Sequence, residues 1–162
     1  MLSKSSLKSL IPAITVSLSL AIIWKTIHLG WSLHLPIPWQ DQWKTLYLIV
    51  QNGQIAIRDI FSQHNEHRIA LTHLTDLADM FMFGGGLWLH FYITILAMLV
   101  QAGCIAWLAI CDVRATTLGN LTNVALVAGI VFCTTQIEIL FWPFCVGNVL
   151  SNLFVVVTLS LL

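Results

Sequence analysis

Side chains that could do chemistry are concentrated in one thirty-residue stretch, residues 39–68, of an otherwise apolar chain. Carboxylates and imidazoles can exchange a proton with a hydroxyl group or hold a divalent metal, and a guanidinium can bind phosphate through its planar fork. Charge is costly at membrane depth, so it tends to mark function there. The charged and imidazole residues of the stretch are Asp41, Lys44, Arg58, Asp59, His64, Glu66, His67 and Arg68.

Asp41 follows two prolines and stands at the start of a helix that the spacing of apolar residues predicts over residues 40–51. Its carboxylate could act as a general base on a sugar hydroxyl, or bind a divalent metal such as Mg²⁺ or Mn²⁺. It could equally cap the helix by accepting hydrogen bonds from free backbone N–H groups. These roles do not exclude one another.

The run His64-Asn65-Glu66-His67-Arg68 is dense in hydrogen-bonding groups. On a helix His64 and His67 would share a face, although their spacing differs from that of the HExxH zinc motif. Arg68 is suited to phosphate, including a lipid phosphate. The alternative is that these residues cap a helix and pair Glu66 with Arg68 at a wet surface.

Charged residues are more widely spaced outside that stretch. Glu138 lies beside Phe141-Trp142-Pro143 and is either a second functional acid or simply solvated. Asp76 and Asp79 fall on the polar side of a predicted amphipathic helix, and we expect both to be solvated.

Composition indicates an integral membrane protein. The 162 residues are 58% hydrophobic and 9% charged, with a mean hydropathy of +0.88, whereas soluble domains carry about 25% charged residues. The net charge of zero provides no basic field for nucleic acid. The four cysteines form no CxxC pair, and we expect them to be small buried thiols.

The pattern predicts an all-α polytopic membrane protein, a single membrane domain over residues 1–162. Its first outer loop, residues 31–86, contains an extended exit followed by amphipathic interfacial helices, and Gly84-Gly85-Gly86 breaks the chain before the second span. Four transmembrane helices are predicted over residues 9–30, 87–111, 118–135 and 146–162. The predicted loop helices cover residues 40–51, 55–62 and 66–82; the last has Ile69, Leu71, Leu74, Leu77, Ala78 and Phe81 on its apolar side and Thr72, Thr75, Asp76 and Asp79 on the other.

Basic residues orient the spans. Lys4 and Lys8 precede the first span and Arg114 follows the second, which predicts a multi-pass protein of the inner (plasma) membrane with a cytoplasmic N-terminus. Residues 31–86 and 135–145 then share the outer side. We expect the first span to be uncleaved. Because the sequence stops within an apolar run, we expect a piece of a longer protein or a truncated relative of one.

Three motifs carry a resemblance: PIPWQDQW at residues 36–43, DIFSQHNEHRI at 59–69 and QIEILFW at 136–142. With the order of spans, they resemble the N-terminal third of bacterial membrane glycosyltransferases of the GT-C type, in particular a subset that contains HNEHR. The resemblance covers about residues 1–160. One departure is that Asp41-Gln42 stands where the family usually has two acids.

The resemblance implies transfer of a sugar from a polyprenyl-phosphate donor, with membrane lipid and the lipid-linked sugar as partners. Asp41 matches the catalytic acid of the first outer loop and Glu138 the acid of the second. The region that faces donor or acceptor would contain His64, Glu66, His67 and Arg68. The competing hypothesis is non-enzymatic: a truncated membrane protein, or a small accessory subunit of a membrane complex.

Overall fold

The computed structural model describes residues 4–37, 43, 47, 60–61, 63–64, 67–68, 70–111, 116–133, 140 and 145–161. The fold is helical, apart from one antiparallel pairing of two-residue strands. In chain order the elements are α1 (Lys4–Ser32), β1 (Gln63–His64), β2 (His67–Arg68), α2 (Ala70–Phe83), α3 (Trp88–Cys111), α4 (Thr117–Val131) and α5 (Val146–Leu161).

The four long apolar stretches of the sequence correspond to α1, α3, α4 and α5. Their bounds agree with prediction within a few residues, except that α1 starts five residues early, at Lys4. Pro12 is therefore inside α1 rather than in its first turn. At the start of α4, Thr116 accepts a hydrogen bond from the N–H of Gly119 at 3.2 Å, which satisfies one of the free donors of a helix N-terminus.

Two of these helices are long and apolar enough to cross a membrane, over Leu10–Ser32 and Trp88–Cys111. Only 11% and 28% of their most apolar windows are buried within the chain. A core helix of a soluble protein would be mostly buried, so these helices present apolar surface outward. Trp24 and Trp107 illustrate this, since they are 71% and 64% exposed. Outward apolar surface on this scale is typical of a membrane protein.

The helices pack in a consistent order. α1 packs on α4, α3 packs against both α4 and α5, and α2 folds back against α3. Ser19 lies beside Gly129 and Thr26 beside Phe132, so α1 and α4 run in the same direction. The rings of Trp31 and Trp88 are in contact, so α3 starts where α1 ends.

Small and hydroxyl-bearing residues bring α1 and α4 close together. A Cβ added at Gly129 would lie 2.8 Å from Oγ of Ser19 and 3.3 Å from its Cα, which leaves no room for a side chain. Further along, the buried Oγ1 of Thr26 donates to the carbonyl of Phe132 at 2.7 Å. That bond satisfies a carbonyl at the end of α4. Close backbone approach through small residues is common between helices in membranes.

The hydrophobic core lies between α1, α3 and the end of α4. Its buried members are Phe91, Met98, Phe132 and Leu140. Leu140 contacts α1 near Gly30, where an added Cβ would lie 3.2 Å from the leucine side chain. The core therefore fixes the end of α1 and Leu140, which lies two positions after Glu138.

Several sequence predictions need correction. The amphipathic helix starts at Ala70 instead of residue 66, because residues 67–68 pair as a strand. α1 remains helical to Ser32, so the predicted extended exit at residue 31 starts later. Cys111 is exposed and the other three cysteines are only partly buried, contrary to the expectation of four buried thiols. Of the predicted helices over 40–51 and 55–62, Trp43, Tyr47 and Ile60 are helical, and most of the rest lies outside the described residues.

We predict that Gly129→Ala destabilises the protein, because the new methyl group would push α1 away from α4. The expected cost is about 1–3 kcal/mol. The matched control is Gly103→Ala in α3, where an added Cβ has nothing within 4 Å, so the gain in helix propensity should make that variant equal to the parent or more stable. Unfolding midpoints in detergent micelles would measure both, and equal midpoints for the two variants would contradict the close contact.

Candidate functional site

One end of the bundle gathers the connections that carry the predicted site. We call it the loop end: α1 and α4 finish there and the turn from α2 to α3 lies there. Nε2 of His34, just after α1, donates to the carbonyl of Gly86 at 2.7 Å. The His34 ring also stacks on Trp88, with centroids 3.9 Å apart. The two residues that bound the segment 35–85 are therefore held together at a single clasp.

The second connection is attached to the same end. Phe132 terminates α4 beside Thr26, and Leu140 is buried against the last turns of α1 near Gly30. The stretch between them contains Glu138. The two connections that contain the predicted acids thus start and finish at the loop end.

The structure describes only part of the predicted site. Asp41, Glu66 and Glu138 lie outside the described residues. His64, His67 and Arg68 are described in backbone only, in the antiparallel pair of β1 with β2, where His64 is the register partner of His67 and Gln63 that of Arg68. The two histidines are therefore not on a common helix, where they would have shared a face; they are register partners in a strand pair.

Asp79 is a structural residue that sequence reasoning placed in solvent. It is fully buried, and its two carboxylate oxygens accept from the N–H groups of Leu87 at 2.6 Å and Leu89 at 2.7 Å. These donors are at the free N-terminus of α3, where a negative charge is stabilised by the helix dipole. One side chain of α2 therefore fixes the position of α3.

The turn that Asp79 holds is strained. Leu87 has φ of 62°, and Gly84 and Gly85 have φ of 64° and 79°. Glycine adopts this conformation freely, but a leucine there costs about 1–2 kcal/mol. The hydrogen bond from Leu87 to Asp79 keeps the leucine in place, and its side chain is buried. The glycine run, predicted to break the chain before the second span, forms a turn that Asp79 holds.

A second acid of α2 is also buried. Oδ1 of Asp76 lies 2.9 Å from Nε2 of His90 in α3, and the two side chains are only 6% and 2% exposed. The contact has the distance of an ion pair without the alignment of a hydrogen bond, and Nδ1 of His90 has no hydrogen-bond partner among the described residues. Thr72 and Thr94 are buried as well, on the same two helices. The expectation that Asp76 is solvated is therefore wrong.

His73 links this buried polar face to the segment before the strand pair. Its Nδ1 donates to the carbonyl of Ile60 at 2.9 Å. Ile60 directly follows Asp59 and lies four positions before His64, the first residue of the HNEHR run. We did not predict this role for His73, which positions a loop backbone.

α2 is thus amphipathic with inverted polarity: its polar side faces the protein and its apolar side faces outward. Its buried residues are Thr72, His73, Asp76 and Asp79, whereas its large exposed residues are Leu71, Leu74, Phe81, Met82 and Phe83. The sequence pattern identified both faces and predicted an interfacial helix, but it expected the acids to be solvated, whereas they are buried. The signal that could have corrected this is the presence of two acids three residues apart, followed by a histidine in the next span, because acids within an apolar protein need partners.

A metal site has no support among the described residues, where no three His, Cys, Asp or Glu side chains are grouped. The predicted Mg²⁺ or Mn²⁺ ligand, Asp41, is outside them.

The chain was compared with protein-family models, with curated proteins and with solved structures, and none of the three comparisons found a match.

We predict that Asp79→Ala lowers the free energy of unfolding by about 1–3 kcal/mol, because two buried N–H groups lose their acceptor. Asp79→Asn keeps one acceptor oxygen and should lose less.

The backbone strain at Leu87 is tested independently by Leu87→Gly. This variant loses a buried side chain but also removes the strain of a positive φ, so it should lose less stability than Leu89→Gly, where no strain is removed. Chemical unfolding in micelles would measure each value. Equal stability of Asp79→Ala and the parent would contradict the role of Asp79 in holding the turn.

We predict that Asp76 and His90 are energetically coupled. Asp76→Leu or His90→Phe alone removes one side of the buried contact and should cost about 3 kcal/mol or more. The double variant removes both groups, so its loss should be smaller than the sum of the two by at least about 1 kcal/mol. Additive losses would show that the 2.9 Å contact carries no interaction energy.

Proposed function

We propose that this chain is a polytopic membrane module that transfers a sugar from a polyprenyl-phosphate-linked donor, as the N-terminal part of a glycosyltransferase of the GT-C type. The observation that carries the proposal is the attachment of both acid-bearing connections to one end of the bundle. A connection anchored at His34 and Gly86 contains Asp41 and the HNEHR run, and one anchored at Phe132 and Leu140 contains Glu138.

The proposed chemistry needs three kinds of group. Asp41 accepts the proton of the acceptor hydroxyl, whose oxygen then forms a bond to the anomeric carbon of the sugar as the bond to the phosphate oxygen breaks. The leaving group is the polyprenyl phosphate, whose charge Arg68 stabilises. His64, Glu66 and His67 bind around the donor, and Glu138 is the second acid of the site. In an alternative role Asp41 holds a divalent metal, which would stabilise the charge of the leaving phosphate.

The membrane placement belongs to the same proposal. α1 and α3 cross the bilayer, and α4 and α5, which are 15 and 16 residues long, complete a third and fourth crossing with the residues that flank them. At 1.5 Å per residue they cover about 22–24 Å of a core of about 30 Å. Lys4, Lys8 and Arg114 are then cytoplasmic, and the loop end is on the outer face.

α2 lies at the outer boundary of the membrane in this arrangement. Its inverted polarity supports a placement in which Leu71, Leu74 and Phe81 contact acyl chains while Asp76 and Asp79 point into the protein. The interfacial position predicted from sequence is thereby extended into the lipid. Both acids can lie at that depth because α3 satisfies them.

A non-catalytic membrane subunit is the second candidate. It is favoured by the apolar residues exposed along all five helices, which would serve equally well as contact surface for a partner in the bilayer. An activity measurement separates the two proposals.

We predict that Asp41→Asn and Glu138→Gln each lower sugar transfer at least about 100-fold, the usual contribution of an acid–base group. Arg68→Ala should raise KM for the donor, and Arg68→Lys should recover part of the loss. The full chain would be reconstituted in liposomes with a radiolabelled polyprenyl-phosphate sugar, and release of the lipid carrier would be followed.

The control is Asp112→Asn, an acid outside the motifs that is next in sequence to Cys111, the last residue of α3, and it should leave transfer unchanged. Transfer by Asp41→Asn at the parental rate would remove Asp41 from the mechanism. An integrated parent protein that releases no carrier from any donor would favour the subunit.

A further inference from the structure

α5 has an exposed seam that combines amide and apolar side chains. Asn148 and Asn152 are exposed, and Val155 and Leu159, each 59% exposed, continue the same line one and two turns further on. The spacing i, i+4, i+7, i+11 places all four on one face of a helix. The side that packs against the chain contains Val146 and Val149, which are buried. The seam therefore points away from the bundle.

The two asparagines differ from the other polar residues of α5. Oγ of Ser151 donates to the carbonyl of Gly147, and Oγ1 of Thr158 to that of Phe154, each at 2.8 Å. These hydroxyls are satisfied within the helix. Among the described residues, neither Asn148 nor Asn152 has a hydrogen bond from its side-chain amide.

The depth of the seam makes this significant, if α3 crosses the bilayer as the proposed function requires. Nε2 of Gln101, near the middle of α3, donates to the carbonyl of Val149 at 3.0 Å. Asn148 and Asn152 are within one turn of Val149, so they lie near the middle of that crossing and not in the headgroup region. An exposed amide at this depth has no water to bond with and is costly.

We propose that this face of α5 pairs with the same face of α5 in a second copy of the chain. Two copies insert in the same direction, so their α5 helices are parallel and each layer of the seam meets its own counterpart. An asparagine amide both donates and accepts, so it can bond to an identical amide across a two-fold axis. The apolar layers at Val155 and Leu159 then pack in line, and the 3-4 spacing matches the left-handed crossing of about 20° common in membranes.

The self-complementarity of the seam selects the partner. Every side chain on it, two amides and two aliphatic groups, pairs with its own kind, and none has a charge that would require an opposite charge on a different protein. A homodimer through α5 satisfies both amides of both copies with one interface.

The experiment measures association of the full chain in liposomes by energy transfer between donor- and acceptor-labelled copies, over a range of protein-to-lipid ratios. The parent should associate, and the double variant Asn148→Leu, Asn152→Leu should do so at least about tenfold more weakly, since it loses the inter-helix hydrogen bonds. The matched control is Thr158→Val, on the same helix but off the seam, whose hydroxyl is already bonded internally. Its association should be within about twofold of the parent.

Two results would overturn the pairing: a parent that remains monomeric at all ratios, or a double variant that associates as strongly as the parent. Resistance to alkaline extraction is measured on the same samples. A protein that resists extraction but is monomeric rejects the α5 pairing alone, whereas one that is extracted rejects the proposed membrane placement together with the pairing. Sugar transfer, measured separately, is independent of either result.

Discussion

The arrangement of the loop end depends on the two buried acids of α2. Asp79 accepts two hydrogen bonds from the start of α3, and Asp76 lies against His90 one turn deeper. These contacts attach the polar side of α2 to the bundle, while its large apolar residues face outward. His73, on the same buried face, then fixes the backbone at Ile60. α2 thus fixes the position of Ile60, in the segment before the strand pair, relative to the bundle.

Lipid surroundings would favour the burial of these acids, in addition to the contacts that the fold provides. In water a helix with this pattern would turn Leu71, Leu74 and Phe81 inward and its aspartates outward. In lipid the apolar side of such a helix faces outward. Polar side chains then occur only where other groups of the protein form hydrogen bonds with them. The same reasoning explains Thr26, a buried hydroxyl whose partner is a helix-end carbonyl, and Gln101, which bonds to the backbone of α5.

The sequence predicts the long helices well because an uninterrupted apolar run has few other structures open to it, and the bounds of α3 and α5 are within one residue of the pattern. It fails where a local rule competes with a tertiary contact. The amphipathic rule gave the two faces of α2 but not which one is buried, because that depends on His90 and the α3 N-terminus, several residues away in the chain. The helix expected at residue 66 is replaced at His67 and Arg68 by pairing with Gln63 and His64, which no periodicity signals. For the candidate site, the sequence motifs identify the residues. The structure adds the contacts that hold the two ends of each connection containing them.

The clasp of His34 with Gly86 and Trp88 holds the two ends of residues 35–85 together. Closing a flexible loop becomes costlier only with the logarithm of its length, about 0.6 kcal/mol for each doubling. Once residue 34 is held against residue 86, a change of length between residues 38 and 59, ahead of the His73 contact at Ile60 and of α2, alters that term very little. That part of the sequence can diverge in length while His34 and Gly86 stay in contact. A scaffold of this design can acquire new specificity through one segment, without a new fold.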